Sequence, residues 1–467
     1  MQSTPGETVS KIIAYGKARP ELVLGAVAAM WAVAFMVLHG YQDRPPFAEE
    51  ANLAWHITKG YGFRSPFLPA RFAPLSAWSP PLYPLVIAAT WRSLGIGAPA
   101  AVTVLMVINA AFFGLIVAAA VSVSRSLFQA RGPGLLAALW LAIHPSFLFG
   151  MGDFWDGFMS LAMFSWLCAG TLRCGRTATD GKHEAMWGGV LGAGMGLLAL
   201  TNTAYAPTFP VLIGMAFLPL PKPRRWRPIL AACGICLVLV MPWTIRNYVA
   251  FGRLIPIRTG GGVQLRIGNA PVSTGWLDDN AIAMHPFRNP AEQRLVLAMG
   301  EPAYDDMAFA AFWHAYRADP ILYLKNCGRR GLYLLLGNPA DPFFLPLLPR
   351  WRSHGLYWDN LMVNGLVALF GIHGLAAAYR RVAASRAFPW LAATVSLPFV
   401  FTAVCERYSF PLRWILIIFA ADRLWAAGER AVCVLHRRPL PPDVSSAVSE
   451  RSFAASAAAS RPRPAAV

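Results

Sequence analysis

Two adjacent carboxylates, Glu49 and Glu50, open the run EEANLAWHIT, which follows Pro45 and Pro46 and gives way to Gly60 and Gly62. Proline at the start and glycine at the end frame a helix of about a dozen residues. At about 100° per residue, Glu49 falls at the edge of the apolar arc between Leu53 and His56, and Glu50 falls inside it with Ala54 and Ile57. A carboxylate on the apolar side of a helix is partly desolvated, which raises its pKa and makes it a better acceptor of a hydroxyl proton. Acids in a first turn also stabilise the helix dipole with no chemistry at all. The pair alone leaves both readings open.

Cations are the second group that could do chemistry. Arg246 ends an apolar run in MPWTIRNY, and Arg407 sits in CERYSFPLR between two apolar runs. An ionisable side chain at such depth is costly without a partner or a ligand. Arg246, Arg407 and Lys59 are therefore candidates for holding a phosphate. The other outer basic residues, Arg413 among them, are expected to snorkel to lipid headgroups. In GMGDFWDGF, Asp153 and Asp156 either cap the following helix or act at a site, as partners of a cation such as Arg246 or Lys59 or of a ligand. Trp78, Tyr83 and Trp155 are placed to stack on a ligand or to form an interfacial aromatic belt. Gly260 to Gly262 lack the Lys and Ser or Thr of a phosphate-binding loop, so they read as a flexible turn. His285, Glu292 and Glu301 lack metal-ligand spacing, and the seven Cys form no paired framework. No metal site and no cofactor is expected.

The elements that must position these residues follow from composition. Of 467 residues, 56% are hydrophobic and 14% charged, with a mean hydropathy of +0.45. A globular domain carries about 25% charged residues, so an ordinary soluble enzyme is excluded and lipid is the main solvent. Apolar runs at 21–39, 99–124, 133–152, 154–172, 186–204, 206–220, 229–248, 357–379, 387–405 and 409–427 predict ten spans. With the N-terminus in the cytoplasm, their alternation puts the Arg and Lys clusters near 125–131, 173–182, 222–227 and 380–386 inside, as the positive-inside rule requires. The apolar stretches at 81–95 and 331–337 are too short to cross and are expected to lie at the outer surface. The fold class is an all-α multi-span membrane protein with about ten to twelve transmembrane helices, interfacial helices and two outer loops, 40–98 and 249–356. These belong to one domain, 1–430, followed by a disordered cytoplasmic tail, 431–467. The excess of 41 Lys and Arg over 23 Asp and Glu points to membrane lipid or a phosphorylated substrate; no nucleic-acid partner is expected.

Three stretches carry a resemblance over roughly residues 20 to 428. One is the acid placed eleven positions before Gly60 in ITKGYGFRSPF, followed by AWSPPLYPLVIA. The second is PWTIRNYVAFGRLIPIRTGGGVQLRIGNAP, and the third is CERYSFPLR. The chain resembles the GT-C superfamily of membrane glycosyltransferases. It looks most like the bacterial family 39 branch related to protein O-mannosyltransferases and the aminoarabinose transferase of lipid A. The resemblance implies transfer of a sugar from a polyprenyl-phosphate donor to a lipid, glycan or protein acceptor, with inversion, on the extracytoplasmic side of the inner cell membrane. It places the family's first-loop acid on Glu49, with Glu50 as neighbour. It also leaves room for a loosely held divalent cation at the donor phosphate. The alternative is a transporter or flippase of a lipid-linked sugar, which should show two matching halves; no such repeat is present.

Overall fold

Runs rich in Ala, Leu, Val and Phe with few charges form helices, and proline and glycine punctuate them. The computed structural model describes residues 19–43, 49–68, 71, 73–152, 154–177, 183–338, 352–353 and 356–436. In the first half are α1 (Pro20–Leu38), α2 (Glu49–Thr58), α3 (Leu82–Leu94), α4 (Pro99–Phe128), α5 (Gly132–Ile143), α6 (Pro145–Gly150), α7 (Gly157–Thr177), α8 (Glu184–Thr201), α9 (Phe209–Phe217) and α10 (Lys222–Phe251). An outer region then holds α11 (Gly261–Asn269), α12 (Asp279–Ile282), α13 (Pro290–Met299), α14 (Glu301–Ala318) and α15 (Pro320–Leu336). The chain closes with α16 (Trp358–Arg381), α17 (Phe388–Phe401) and α18 (Phe410–Leu435). Strand content among the described residues is one two-residue antiparallel pair, Arg352–Ser353 with Leu356–Tyr357.

Every apolar run expected to span is helical. Four helices, Pro20–Leu38, Pro99–Phe128, Lys222–Phe251 and Leu361–Arg381, are long and apolar enough to cross a bilayer unaided, which makes this a membrane protein. Gly132–Ile143 and Thr203–Phe217 are apolar but shorter. Proline is one reason: Pro145 separates α5 from α6, and Pro207 keeps residues 203–208 in a 3₁₀ turn before α9. The expected disordered tail begins too early at 431, because AVCVL extends α18 to Leu435; residues 437–467 lie outside the described set.

Close packing is set by small residues. Gly188, Gly192 and Gly196 form one stripe on α8, four residues apart, where a Cβ would collide with the backbone of Pro228 and Ala232 and with Leu239 on α10. α4 lies at the centre against α1, α5 and α7, and is largely buried, whereas α10 is largely exposed. Several of the basic residues assigned to the inner face are held by acids from other helices: Arg125 and Arg173 flank Glu21 at 2.6 and 3.8 Å, Arg224 pairs with Glu184 at 2.8 Å, and Arg381 with Asp422 at 3.2 Å.

The outer region has its own core, and the first outer loop is part of it. Phe67 and Trp78 pack with Val263 and Ile267 of α11, Ala281 of α12, Val296 of α13, and Tyr304 and Ala308 of α14. The segment 331–337 is the end of α15, which exposes Ile321, Leu324 and Leu332 while burying Arg330. That guanidinium donates to the carbonyls of Val400 and Gly268 at 2.6 and 2.7 Å and to Asn269 Oδ1 at 2.9 Å. It pins α15 to α11 and α17.

Candidate active site

Where α2, the residues before α7, the entrance to α11 and the residues before α18 meet, they enclose a cavity of about 840 Å³. Its walls include Glu49, Glu50, Tyr83, Trp155, Asp156, Asn202, Arg258, His285, Arg288, Arg407 and Tyr408. The sequence reading brings Glu49, Glu50, Asp156, Tyr83 and Arg407 to this place.

Glu49 begins α2, and both of its oxygens have a neighbour. Trp78 Nε1 donates to Oε2 at 2.7 Å, and His285 Nε2 is 3.4 Å from Oε1. Burial raises the Glu49 pKa above the usual carboxylate range, while the Trp78 bond and the charges of Arg258 and Arg407 act the other way. Glu50 is pushed up to about 7 by burial and by the charge of Glu49. Asp156 is also pushed up to about 7, by burial and by Glu50, with Asn202 donating a hydrogen bond to it. Three acids and two guanidiniums thus share one desolvated volume. The Arg407 guanidinium lies 3.3 Å from the centre of the Trp155 ring and donates to Tyr408 Oη at 3.4 Å.

Several expected residues lie elsewhere. Arg246 does not line the cavity: its guanidinium donates to the Ser76 and Phe63 carbonyls at 2.6 and 3.0 Å and covers the Trp243 ring at 4.9 Å. A guanidinium at the end of an apolar helix found loop carbonyls as partners, so it fixes the first outer loop. Lys59 is exposed at the end of α2, away from the cavity. Trp78 is fully buried behind Glu49, where it donates rather than stacking in the cavity. Asp153 lies outside the described residues. Arg413 does not snorkel: it is fully buried, pairs with Glu406 and donates to Ser146 Oγ at 2.7 Å. Of Gly260 to Gly262, only Gly260 is a turn, at φ 85°, because Gly261 and Gly262 start α11. A Cβ on Gly262 would collide with the Asp305 carbonyl.

Sequence reasoning passed over three contributors. Arg258 reaches the cavity directly before this glycine run. Glu301, at the first turn of α14, is almost fully buried and accepts from Ser76 Oγ (2.7 Å), Ala77 N (2.8 Å) and Thr259 Oγ1 (2.5 Å). It therefore ties the segment carrying Trp78 to the segment carrying Arg258. His285 sits in the turn between α12 and α13. Among the described residues, no group of three or more His, Cys, Asp and Glu side chains is arranged to hold a metal ion.

The raised carboxylates make stability depend on pH. A group whose folded pKa exceeds its unfolded value stabilises the fold fully below the unfolded pKa, and that contribution is lost as pH rises through the folded value. Glu50 and Asp156 both lose it around pH 7. His285 and His56, with lowered values, act oppositely, but only below the ordinary value of 6.5, where the unfolded imidazole becomes charged. The thermal unfolding temperature in detergent is expected to fall between pH 6.5 and pH 8, and Asp156→Asn is expected to flatten that fall. A midpoint that rises through the window contradicts the charge assignment.

No family model matches the chain, and no curated protein sequence does. Solved structures do match. The archaeal oligosaccharyltransferase AglB from Archaeoglobus fulgidus, in complex with an inhibitory peptide and a dolichol-phosphate, is similar at a TM-score of 0.52 and 13% identity, over 91% of this chain and 52% of that one. The apo form of the Archaeoglobus fulgidus oligosaccharyltransferase is similar at 0.51 and 13%, over 89% and 51%. ArnT from Cupriavidus metallidurans bound to undecaprenyl phosphate has a TM-score of 0.40 and 14% identity, over 87% and 78%. The chain has the fold of the archaeal oligosaccharyltransferase over 91% of its own length, and it spans about half the length of that protein.

Proposed function

We propose that this protein is a membrane glycosyltransferase that moves a sugar from a polyprenyl-phosphate carrier to an acceptor hydroxyl or similar group at the extracytoplasmic face, with inversion at the anomeric carbon. The observation that carries the reading is the meeting of Glu49 with Arg258 and Arg407 in one cavity on the GT-C fold. A lipid phosphate is a good leaving group, so a single base suffices, unlike the paired carboxylates of glycoside hydrolysis. Glu49 takes the acceptor proton as its oxygen attacks the anomeric carbon. The bond to phosphate breaks on the opposite face, and the charge growing on that phosphate is met by Arg407 and Arg258 through charge-assisted hydrogen bonds. Tyr83 and Trp155 line the same space, beside the place the sugar would occupy. The outer residues between Pro256 and Arg288 that line the cavity select the acceptor, as large loops over a rigid scaffold commonly do.

Comparing envelope lipids, glycans and proteins by mass between cells with and without the gene tests this. Expected are loss of one sugar modification and accumulation of its polyprenyl-phosphate donor. Retention of every modification sinks the transferase reading. A purified protein that equilibrates a lipid-linked sugar across vesicles without transferring it establishes a transporter instead.

A further inference from the structure

We propose that His285 is a positioning residue for Glu49: its ring presents Nε2–H to one carboxylate oxygen while Trp78 holds the other, fixing which lone pairs face the cavity. This rests on the reading of Glu49 as the transfer base.

The tautomer follows from geometry. The backbone N–H of Phe287 donates to His285 Nδ1 at 3.2 Å, and a backbone N–H can only donate, so Nδ1 carries no proton. The neutral ring therefore holds its proton on Nε2, the atom 3.4 Å from Glu49 Oε1. Burial, then the charges of Arg258 and Arg407, push the His285 pKa down to about 4, so the ring is neutral at ordinary pH. A neutral donor orients a base without the strong pKa depression that an imidazolium would impose.

The ring is also held in place. His285 N donates to the Ile282 carbonyl at 2.9 Å, and its own carbonyl accepts from Arg288 N and Asn289 N, both at 3.0 Å. Phe67 and Trp78 pack edge-on against the imidazole at 6.2 and 5.6 Å between ring centres. The separation of 3.4 Å exceeds that of a formed hydrogen bond. Contacts at catalytic groups are commonly long in the free protein and tighten in the complex. The base is thus completed by a residue from the turn between α12 and α13 that lines the cavity.

A test can read Glu49 without any substrate. A water-soluble carbodiimide modifies a carboxyl only while it is protonated, so the pH at which modification of the Glu49 peptide falls by half reports its titration in the full chain in detergent. The charged groups facing Glu49, which are Glu50 on α2, Asp156 before α7, Arg258 before α11 and Arg407 before α18, stay in place in every variant. His285→Leu is expected to raise that midpoint, since the Nε2–H dipole 3.4 Å from Oε1 favours the charged carboxylate even before the contact tightens. It should also lower kcat for transfer from a polyprenyl-phosphate hexose by roughly 10- to 100-fold with donor KM within about twofold. His285→Gln, whose amide N–H can take the place of Nε2–H, should restore the midpoint and most of the rate. An unmoved midpoint in His285→Leu overturns the proposal, as does an equal shift in both variants. If the wild-type protein transfers no sugar but the midpoint still moves in His285→Leu alone, the contact stands and the transferase reading fails.

Discussion

Glu49→Gln is expected to fold, to bind a polyprenyl phosphate as the wild-type protein does, and to transfer sugar about 10²- to 10⁴-fold more slowly, the usual contribution of a positioned general base. The amide keeps the shape of the carboxylate and can still accept from Trp78 Nε1, so the loss would be one of basicity rather than of packing. Glu50→Gln should do less, because Glu50 faces the cavity beside Asp156 and is itself pushed up to about 7 by burial and by the Glu49 charge, which makes it the poorer proton acceptor at a higher proton occupancy. Turnover measured on both purified variants decides the matter. A dead Glu50→Gln beside an active Glu49→Gln moves the base by one residue. Full activity in both leaves the acids with a dipole role only and makes Asp156 the next candidate.

Arg407→Ala is expected to weaken binding of a polyprenyl phosphate by roughly 10- to 100-fold, the range for removing one partner of a charge-assisted hydrogen bond. Arg407→Lys should fall between, since an ammonium keeps the charge but neither the fork geometry nor the stacking on Trp155. Quenching of tryptophan fluorescence on titration with the lipid phosphate measures both, with Trp155 as the reporter under the guanidinium. Equal affinity in all three proteins removes Arg407 from the phosphate site. Arg246→Ala tests a different role: its bonds to Ser76 and Phe63 predict a lower unfolding temperature and a looser first loop.

What was legible in the sequence was local. The helices could be read from runs of apolar residues, because lipid rewards such runs whatever they pack against. Glu49 and Glu50 could be read from their place on the apolar side of a short helix, and Arg407 from its interruption of two apolar runs. Arg246 and Arg413 belonged to the same visible class, a cation at the end of a span, yet their partners are a pair of loop carbonyls and a buried Glu406. Sequence shows that such a cation needs a partner but not which one it finds. Glu301 gave no signal, since an acid in a first helical turn is common. Its three donors come from two distant loop segments. His285 was invisible as a partner of Glu49 for the same reason. The resemblance marked the first loop, the segment through Arg258 and the segment through Arg407 as belonging together, and these segments meet in the cavity.

The Glu301 knot also sets a schedule for biogenesis. Ala77 and Glu301 are 224 residues apart in the chain, and the ribosome adds about 5–20 residues per second. For roughly ten to forty seconds after Trp78 is synthesised, the first outer loop must remain without the carboxylate that later closes it and without the apolar surfaces of α11 and α14. A chain arrested before residue 261 would leave Trp78 and Phe67 without the apolar partners of the outer region, a target for proteases and chaperones on whichever side the loop resides. Glu49 therefore gains its His285 neighbour, and its loop gains the Glu301 anchor, only when the outer region arrives.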